Sequence, residues 1–461
     1  MEFSDKAHEE CGVLGFYDID GYNVALELYH GLYALQHRGQ ESAGIVTNDD
    51  ARLHQVKDCG LVSEVFNEHN LSTLIGNIGV GHVRYARGSE PRENAQPLVS
   101  RYRKGSLTLA HNGSITNVKK LRAELEDGGA IFQSTNDTEV IMHLIAIERT
   151  KTHSVEDAML RVMSKLEGAY SMVLMSPRKL MGIRDPHGFR PLCLGKKGNS
   201  YIIASESCAL DTMHAKFIRD VEPGEIVLIE GNKLTSLHVS EKCKPSLCVF
   251  EYVYFARPDS IIDGVSVYDT RIKTGELLAK AAPVKADMVM GVPDSGLNFA
   301  QGYAIGSGIP YGEGLIRNRY TGRTFIKHTQ AERESAVNIK LNALSSAVKG
   351  KRIVMVDDSI VRGTTSANII KMLKDRGALE VHLRIASPPF LWPCYYGTDI
   401  PSKKDLAACK YTVEEIRENV GADSLAYLPL EALKDIGIRK DFGYCSACFT
   451  GDYPVKPEEE K

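Results

Sequence analysis

Two adjacent carboxylates followed by small hydroxyl residues are the clearest chemical signal in the sequence. In IVMVDDSIVRGTT, Asp357 and Asp358 close an apolar run that has the character of a buried strand. The turn after them contains Ser359, Gly363, Thr364 and Thr365. Free backbone N–H groups at a helix start suit a phosphate, and paired carboxylates suit ribose hydroxyls or Mg2+. The pattern predicts a sugar-phosphate site, against the plainer alternative of an acidic loop with a threonine N-cap.

A cysteine near the start is the second candidate. Cys11 precedes an apolar run in HEECGVLGF. A free thiol has a pKa of roughly 8.5 and an α-amino group roughly 7.7 to 8.0, so a cysteine that becomes an N-terminus by cleavage carries its own general base. A lone cysteine is more often a packing residue, and residue type alone leaves both interpretations open.

Cys445 and Cys448 form a third candidate, the CSAC motif near the end of the chain. Taken alone, this spacing is compatible with a redox pair, a zinc site or coincidence.

The elements that must position the acidic pair follow the βαβ pattern of a parallel sheet. ADMVMGV and KRIVMVDD read as buried strands, each followed by a short polar loop and an amphipathic helix. Ile369, Ile370 and Leu373 share one helix face, and Gly377 stands where a left-handed C-terminal cap belongs. Ligands of such sheets bind at the carboxyl ends of the strands, which is where the acids fall.

The first half of the chain has a different pattern of predicted secondary structure. Residues 11 to about 240 contain many short β-like runs with two or three helical stretches, which favours an α+β domain. The segment EKCKPSL at 241–247 reads as a polar connector.

Length and composition limit the classes of protein. The 461 residues predict at least two cores, and 43% hydrophobic with 25% charged residues excludes a disordered chain. A net charge of -3 gives no overall basic field for nucleic acid.

We find no apolar run of about 18 residues and no secretory signal, so we expect a cytoplasmic protein without a membrane partner. Ten cysteines in a reducing compartment are not expected to form a disulfide framework.

Ordered segments in the first half resemble a known family. CGVLGF, LQHRGQESAGI, GHVRYA, AHNGSITN, TNDTEV and RDPHGFRPL are similar to the class II glutamine amidotransferase domain, and VDDSIVRGTT is similar to the phosphoribosyl pyrophosphate (PRPP) motif of type I phosphoribosyltransferases. The whole chain resembles the amidophosphoribosyltransferases, in particular their propeptide-containing iron–sulfur subgroup. The resemblance implies an αββα N-terminal-nucleophile domain followed by an α/β phosphoribosyltransferase domain with a parallel sheet.

The resemblance also implies domain limits and an activity. A propeptide at 1–10, a glutaminase domain at 11–240, a phosphoribosyltransferase domain with a cluster-binding segment at 248–454 and an acidic tail at 455–461 are expected. The reaction converts glutamine, PRPP and water to 5-phosphoribosylamine, glutamate and pyrophosphate, the first committed step of purine (IMP) biosynthesis. Ammonia passes between the two sites.

Roles in the first domain are carried over by position. Cys11 is expected to attack the glutamine amide, with Asn112 and Gly113 as oxyanion donors. Arg84 is expected to bind the α-carboxylate of glutamine and Asp137 its α-ammonium. Asn-Gly also favours a hairpin turn. The chain departs from the family in RYARGSEPRENAQPL, where Arg87 or a gap replaces a threonine expected to help hold glutamine.

Roles in the second domain follow in the same way. The loop GVPDSG stands where the family binds the leaving pyrophosphate, and the acidic pair and its turn bind PRPP. The expected PRPP ligands are Asp294, Ser295, Gly296, Asp357, Asp358, Ser359, Gly363, Thr364 and Thr365. One Mg2+ per subunit is expected on Ser295, Asp357 and Asp358. A basic segment suits a lid over the phosphates and contains Arg317, Arg319, Arg323, Lys327 and Arg333; the alternative is a solvated charged loop.

The resemblance also assigns four cysteines. Cys248, Cys394, Cys445 and Cys448 match the ligand contexts of one [4Fe-4S] cluster per subunit, although four thiolates also suit zinc. A structural or oxygen-sensing role is expected of the cluster. The remaining cysteines are interpreted as packing residues: Cys59, Cys193, Cys208, Cys243 and Cys409.

Purine nucleotides as feedback inhibitors and a homotetramer are further implications of the resemblance. Two other functions compete with it. A PRPP-sensing regulator is disfavoured by the complete set of glutaminase segments and by the lack of a basic DNA-binding module. Another glutamine amidotransferase, sugar-phosphate or asparagine-forming, is disfavoured by VDDSIVRGTT.

Overall fold

The computed structural model describes residues 11–85, 92–239, 243–318, 341–400, 402–437 and 442–457. The strands of the first half are β1 Cys11–Tyr17, β2 Ser42–Asp49, β3 Arg52–Cys59, β4 Ile78–Arg84, β5 Leu98–Tyr102, β6 Gly105–Ile115, β7 Gly168–Ser176, β8 Lys179–Arg184, β9 Cys193–Lys197, β10 Ser200–Ala204, β11 Lys216–Asp220, β12 Glu225–Glu230 and β13 Lys233–His238. Its helices are α1 Ala25–Ala34, α2 Val62–Val65, α3 Glu68–Ser72, α4 Val118–Asp127, α5 Asp137–Lys151, α6 Val155–Met163 and α7 Ser207–Thr212.

These strands form two antiparallel sheets that pack face to face. The first has the order β11-β9-β10-β1-β4-β2-β3 and the second β13-β12-β8-β7-β6-β5. Val13 and Val173 belong to the apolar layer between the sheets. Helices α1 and α7 cover the outer face of the first sheet, and α4, α5 and α6 cover that of the second. The expected αββα architecture is confirmed.

The second half is built on a parallel sheet. Its strands are β14 Leu247–Cys248, β15 Ile261–Ile262, β16 Val265–Ser266, β17 Met288–Gly291, β18 Leu315–Arg317, β19 Leu341–Ala343, β20 Arg352–Asp357, β21 Glu380–Ile385, β22 Ser424–Tyr427 and β23 Tyr444–Cys445. Its helices are α8 Val267–Ala281, α9 Leu297–Ser307, α10 Ser345–Val348, α11 Thr364–Asp375, α12 Ala407–Lys410, α13 Val413–Val420 and α14 Ala447–Thr450. The central sheet has the order β17-β20-β21-β22, with every pair parallel.

Helix α11 confirms the expectation from the sequence. Ile369, Ile370 and Leu373 are buried on one face, and Gly377 has φ 91° just past the helix end. That backbone conformation is open to glycine and costly for other residues, so the chain turns sharply towards β21 there.

Buried charges join the two halves. The Arg38 guanidinium donates to Glu206 in the first half and, at 2.7 Å, to Glu251 in the second. Burial would raise the pKa of Glu206, but the charge of Arg38, the charge and hydrogen bond of His37 and the hydrogen bond of Ser260 together lower it. Arg184 adds two bonds to Asp263, of 2.7 and 2.9 Å. Burial of such groups is costly unless they are paired. The buried arginines of the first half are paired with buried carboxylates of the second half, so the contact between the halves stabilises both sets of charges.

Among the helices that the structure describes, none combines the length and apolar character that crossing a bilayer requires.

Candidate active sites

Cys11 lies at the first position of β1, on the face that looks into the space between the sheets. Successive side chains of a strand point to opposite faces, and Val13 belongs to the layer between the sheets whereas Leu14 packs on the helices. Cys11 therefore shares the face of Val13, and it is only 3% exposed. It pairs in register with Arg84 of β4, whose side chain shares the inward face of Val80.

Asn112 belongs to the second sheet, and its side chain points into the same space between the sheets as that of Cys11. It lies on β6 two residues after Ala110, which belongs to the same layer between the sheets. The Asn112 side chain is fully buried, and neither its oxygen nor its nitrogen has a hydrogen-bond partner among the described residues. Leaving such groups unsatisfied costs about 1 to 3 kcal/mol each, so a bound oxyanion would satisfy the amide N–H.

Gly113 has φ 138°, and a Cβ there would lie 2.2 Å from the carbonyl oxygen of Ala169. Only glycine fits this position. The alternative of an Asn-Gly hairpin turn is wrong, because both residues lie inside one continuous strand, paired with Ser171 and Tyr170 of β7. The close approach of β7, not a chain reversal, requires the glycine.

Asp137 is the first residue of α5 and is half-buried. Its carboxylate accepts a 3.2 Å bond from the Ile115 N–H and lies 3.3 Å from Nδ1 of His111. Burial would raise the pKa of Asp137, but the charge and hydrogen bond of His111, the Ile115 N–H and the charge of Arg84 together lower it. The group is therefore an ionised carboxylate that lies close enough to Arg84 to feel its charge.

The acidic pair lies at the carboxyl end of β20. Asp357 and Asp358 are 1% and 0% exposed. The Asp358 N–H donates to Asp357 at 2.9 Å, and the Ser359 hydroxyl donates to Asp358 at 2.5 Å. Gly363, with φ 91°, precedes the first turn of α11, which contains Thr364 and Thr365.

The loop with Asp294, Ser295 and Gly296 lies beside the acidic pair. It joins β17 to α9, and the Val292 N–H donates to the Val356 carbonyl at 2.9 Å. A Cβ on Gly296 would lie 2.4 Å from that same oxygen. The N-termini of α9 and α11 thus both lie at the carboxyl ends of the neighbouring strands β17 and β20, an arrangement suited to binding phosphates. Asp294 is exposed and forms an ion pair with Arg317.

The four cysteines assigned to the cluster are brought together. Cys248 pairs in register with Cys445 across the parallel strands β14 and β23. Burial, and then the charges of the other three thiols, raise the pKa of Cys448, and burial raises the pKa of Cys248 to about 12. No group of three His, Cys, Asp or Glu side chains within the described ranges is already arranged to hold a single metal ion.

Two family models match the chain. A glutamine amidotransferase domain matches residues 82–212, and a phosphoribosyl transferase domain matches residues 273–386. The amidophosphoribosyltransferase of Methanocaldococcus jannaschii is 49% identical, over 98% of this chain and 99% of that protein.

Solved structures agree with these matches. Glutamine PRPP amidotransferase from B. subtilis, complexed with ADP and GMP, is 47% identical with a TM-score of 0.91, covering 98% of this chain and 99% of that one. A structure described as the allosteric regulatory enzyme of purine biosynthesis is 46% identical with a TM-score of 0.92, covering 98% and 97% of the two chains.

The chain belongs to the amidophosphoribosyltransferase family. It is a phosphoribosyltransferase that carries a glutamine amidotransferase domain. The order of the two domains and the fold of each agree with the expectation from the sequence.

Several predicted residues lie outside the described ranges. They are the propeptide 1–10, Arg87, the basic residues Arg319, Arg323, Lys327 and Arg333, and residues 458–461 of the tail.

The interpretation of the remaining cysteines as packing residues is partly wrong. Cys193 and Cys208 are buried, as expected, and Cys243 is intermediate. Cys59 and Cys409 are exposed, because Cys59 ends the edge strand β3 and Cys409 lies on the short helix α12. Neither element places these side chains in an apolar core.

Sequence reasoning missed a polar group beside the amidotransferase site. His82, Gln96 and His111 are almost completely buried and bonded to one another. A signal was available, since His82 and His111 are ring-bearing polar residues within buried strands, but the partner of each comes from a distant segment.

Two open clefts lie away from both sites. One of about 540 Å3 is bordered by α8 and α9, and one of about 430 Å3 is bordered by Tyr17 and Asn48. Neither is lined by a predicted site residue, so side-chain chemistry rather than cavity size locates the sites of this family member.

Proposed function

We propose that this chain hydrolyses glutamine in a domain at 11–240 and transfers the ammonia to PRPP in a domain at 248–454. The products are glutamate, 5-phosphoribosylamine and pyrophosphate, as in the first committed step of purine biosynthesis. The observation that carries the proposal is that two features share the space between the sheets. Cys11 pairs in register with Arg84, and the buried Asn112 amide has no hydrogen-bond partner among the described residues.

Removal of residues 1–10 would leave the α-amine of Cys11 beside its own thiol. The amine takes the thiol proton as sulfur attacks the amide carbon of glutamine. The C–N bond breaks, ammonia leaves with that proton, and a thioester remains. Water then cleaves the thioester and releases glutamate.

The other residues of the first site act on binding and charge. Asn112 and Gly113 stabilise the oxyanion of both tetrahedral intermediates, and loss of one such donor costs about 2.7 to 4 kcal/mol. Arg84 holds the α-carboxylate of glutamine and Asp137 its α-ammonium. The lowered pKa of Asp137 supports this role, because the carboxylate keeps its charge at neutral pH.

In the second site, ammonia displaces pyrophosphate from C1 of PRPP. The helix starts of α9 and α11 hold phosphates, with Ser295, Gly296, Thr364 and Thr365 at these turns. The acidic pair orients the ribose. Water is the rival nucleophile, so a lid formed by the basic segment from Arg317 to Arg333 would protect the reaction.

The donors at this edge fit Mg2+. Ser295, Asp357 and Asp358 offer only oxygen ligands, the type that Mg2+ prefers, and two of them are buried carboxylates. When bound, the ion would neutralise charge on the departing diphosphate.

The four gathered thiols fit a [4Fe-4S] cluster, with zinc as the alternative. Burial raises the pKa of Cys248, Cys445 and Cys448 and so disfavours their thiolate forms. A bound group would therefore have to supply positive charge. The segments they join are the connector, the loop after β21 and the C-terminal region, which supports a structural or oxygen-sensing role.

Regulation and assembly are proposed on the same basis. Purine nucleotides are expected to inhibit, since the B. subtilis relative was solved with ADP and GMP and the helix starts suit their phosphates. We also propose a homotetramer located in the cytoplasm.

The test is pyrophosphate release from PRPP by anaerobically purified protein, with glutamine or with ammonium chloride as nitrogen source. Cys11→Ala should lose the glutamine-dependent rate and keep the ammonia-dependent rate. Cys409→Ala, an exposed thiol, is the matched control and should keep both. PRPP binding without pyrophosphate release would favour a regulator, and glutaminase without PRPP use would favour another amidotransferase.

A further inference from the structure

The segment Asn94–Pro97, called here the clamp segment, lies against the strand that carries Asn112. The side-chain oxygen of Gln96 accepts a 2.7 Å bond from the His111 N–H, and its nitrogen donates to the His111 carbonyl at 3.4 Å. Both residues are 1% exposed. One side-chain amide therefore engages both backbone groups of the residue before Asn112.

This contact replaces the backbone hydrogen bonds that β5 would make to His111 if its pairing with β6 extended that far. The pairing of β5 with β6 ends at Leu98 and Leu109, two residues before His111. Beyond that point Gln96 supplies, from a side chain, the donor and acceptor that a neighbouring strand would supply from its backbone. On the other edge β7 continues past Asn112 and Gly113.

The first sheet adds a second contact. Nε2 of His82 lies 3.1 Å from the His111 carbonyl oxygen, and since a carbonyl only accepts, this nitrogen carries the proton. His82 is fully buried. Burial, and then the charge of Arg84, lower its pKa well below the ordinary value, so the ring is neutral.

The clamp segment is itself held on several sides. The Lys57 ammonium donates to the Ala95 carbonyl at 2.6 Å. The side chain of Asn94 bonds to Thr135, just before Asp137 on α5. A Cβ on Gly44 would lie 2.2 Å from the Gln96 carbonyl oxygen, so the first sheet packs directly on the segment.

We propose that Gln96 is a positioning residue for the oxyanion donors, with His82 as a second support. The carbonyl of His111 and the N–H of Asn112 belong to one planar peptide group. Gln96 and His82 both contact that carbonyl. Together they fix the orientation of the peptide plane between His111 and Asn112, and so the backbone position of Asn112 and Gly113. An oxyanion donor must lie within about 2.7 to 3.1 Å of the developing charge, and a displacement of about 1 Å can cost about 100-fold in rate. The inference rests on the proposed glutaminase role of Asn112.

The first test is Gln96→Met, which keeps the length of the side chain and removes both hydrogen bonds. We expect kcat for glutamine hydrolysis to fall about 10- to 100-fold, with KM for glutamine within about twofold, because oxyanion contacts belong to the transition state. The ammonia-dependent rate should not change. Gln55→Met, at an exposed position of β3, is the matched control and should behave as wild type. An unchanged kcat in Gln96→Met would overturn the proposal, as would a rise in KM alone.

A double-mutant cycle separates positioning from a general structural effect. Gln96 is proposed to position Gly113 as well as Asn112. Gln96→Met should therefore lower kcat several-fold less in an Asn112→Ala background than in the wild-type background. An equal fall in both backgrounds would contradict the proposal. If Gln96→Met does not fold, His82→Phe tests the same carbonyl with the same expected pattern. Wild-type glutaminase activity in Asn112→Ala alone would instead count against the proposed function, so the two failures are distinguishable.

Discussion

The two candidate sites are built on opposite principles. The glutaminase site is assembled from strand faces between two sheets, where Cys11 and Asn112 are almost fully buried. The phosphoribosyl site is assembled from loops at the ends of parallel strands. The side chain of Asp294 there is 65% exposed, although Asp357 and Asp358 are buried. The first site depends on the pairing and packing of strands, whereas the second depends on where strands end and helices begin.

The difference follows from the chemistry of each site. Amide hydrolysis needs donors held rigidly at an oxyanion, which strands provide. Transfer from a large, charged sugar phosphate needs an open edge with free helix N–H groups. The buried ion pairs of Arg38 and Arg184 connect the half that contains the rigid site to the half that contains the open one.

The largest expected effect is on this connection. Arg38→Gln leaves the buried carboxylates of Glu206 and Glu251 without their shared cation. We expect a loss of about 3 to 5 kcal/mol in the free energy of unfolding, measured by denaturant titration. Arg178→Gln, at an exposed position, is the control. Equal stability of the two variants would mean that the halves are not held together by these charges.

Asn112→Ala tests the rigid site. We expect glutamine hydrolysis to fall about 100- to 1000-fold in kcat, with the ammonia-dependent rate preserved, because only the first site uses the donor. Glutamate release and pyrophosphate release are measured on the same sample. Asn199→Ala, on the turn between β9 and β10, serves as control. A similar fall in glutamine hydrolysis in this variant would mean that the loss in Asn112→Ala is not specific to the oxyanion donor.

The residues proposed for the open site stand mostly together in the sequence, whereas those proposed for the rigid site are far apart. Asp357, Asp358 and the turn before α11 are contiguous, so a local pattern was enough. The rigid site combines Cys11, Asn112 and Gln96, which come together only when the two sheets pack face to face and the segment before β5 bonds to β6. The Asn-Gly pair was open to a local interpretation, a hairpin, that the long-range approach of Ala169 replaces. The Arg38 network was missed for the same reason, since its partners are more than 160 residues away.

Asp357→Asn tests the open site. Loss of one charged hydrogen bond to the ligand costs about 1.5 to 3 kcal/mol, so we expect pyrophosphate release to fall about 10- to 100-fold with either nitrogen source. Glutaminase activity should remain. PRPP binding by calorimetry, with and without Mg2+, gives a readout independent of turnover. Equal PRPP affinity in variant and wild type would contradict the assignment of this carboxylate.

The smallest effect concerns pH. Burial, and then the charge of Asp263, raise the pKa of Asp220 to about 6, above the value of about 3.9 for an unfolded chain. The folded state holds this proton more tightly, so its contribution to stability is lost as pH rises through about 4 to 6. Asp220→Asn should therefore gain stability over wild type as pH rises from 4.5 to 7. A difference that does not change with pH would show that Asp220 is not perturbed.

The central claim is that nitrogen released at Cys11 is used at the second site of the same molecule. It is tested by supplying glutamine labelled with 15N in its amide together with an excess of unlabelled ammonium at neutral pH. We expect the phosphoribosylamine, trapped and analysed by mass spectrometry, to carry mostly 15N. A label content equal to that of the bulk ammonium would contradict the account.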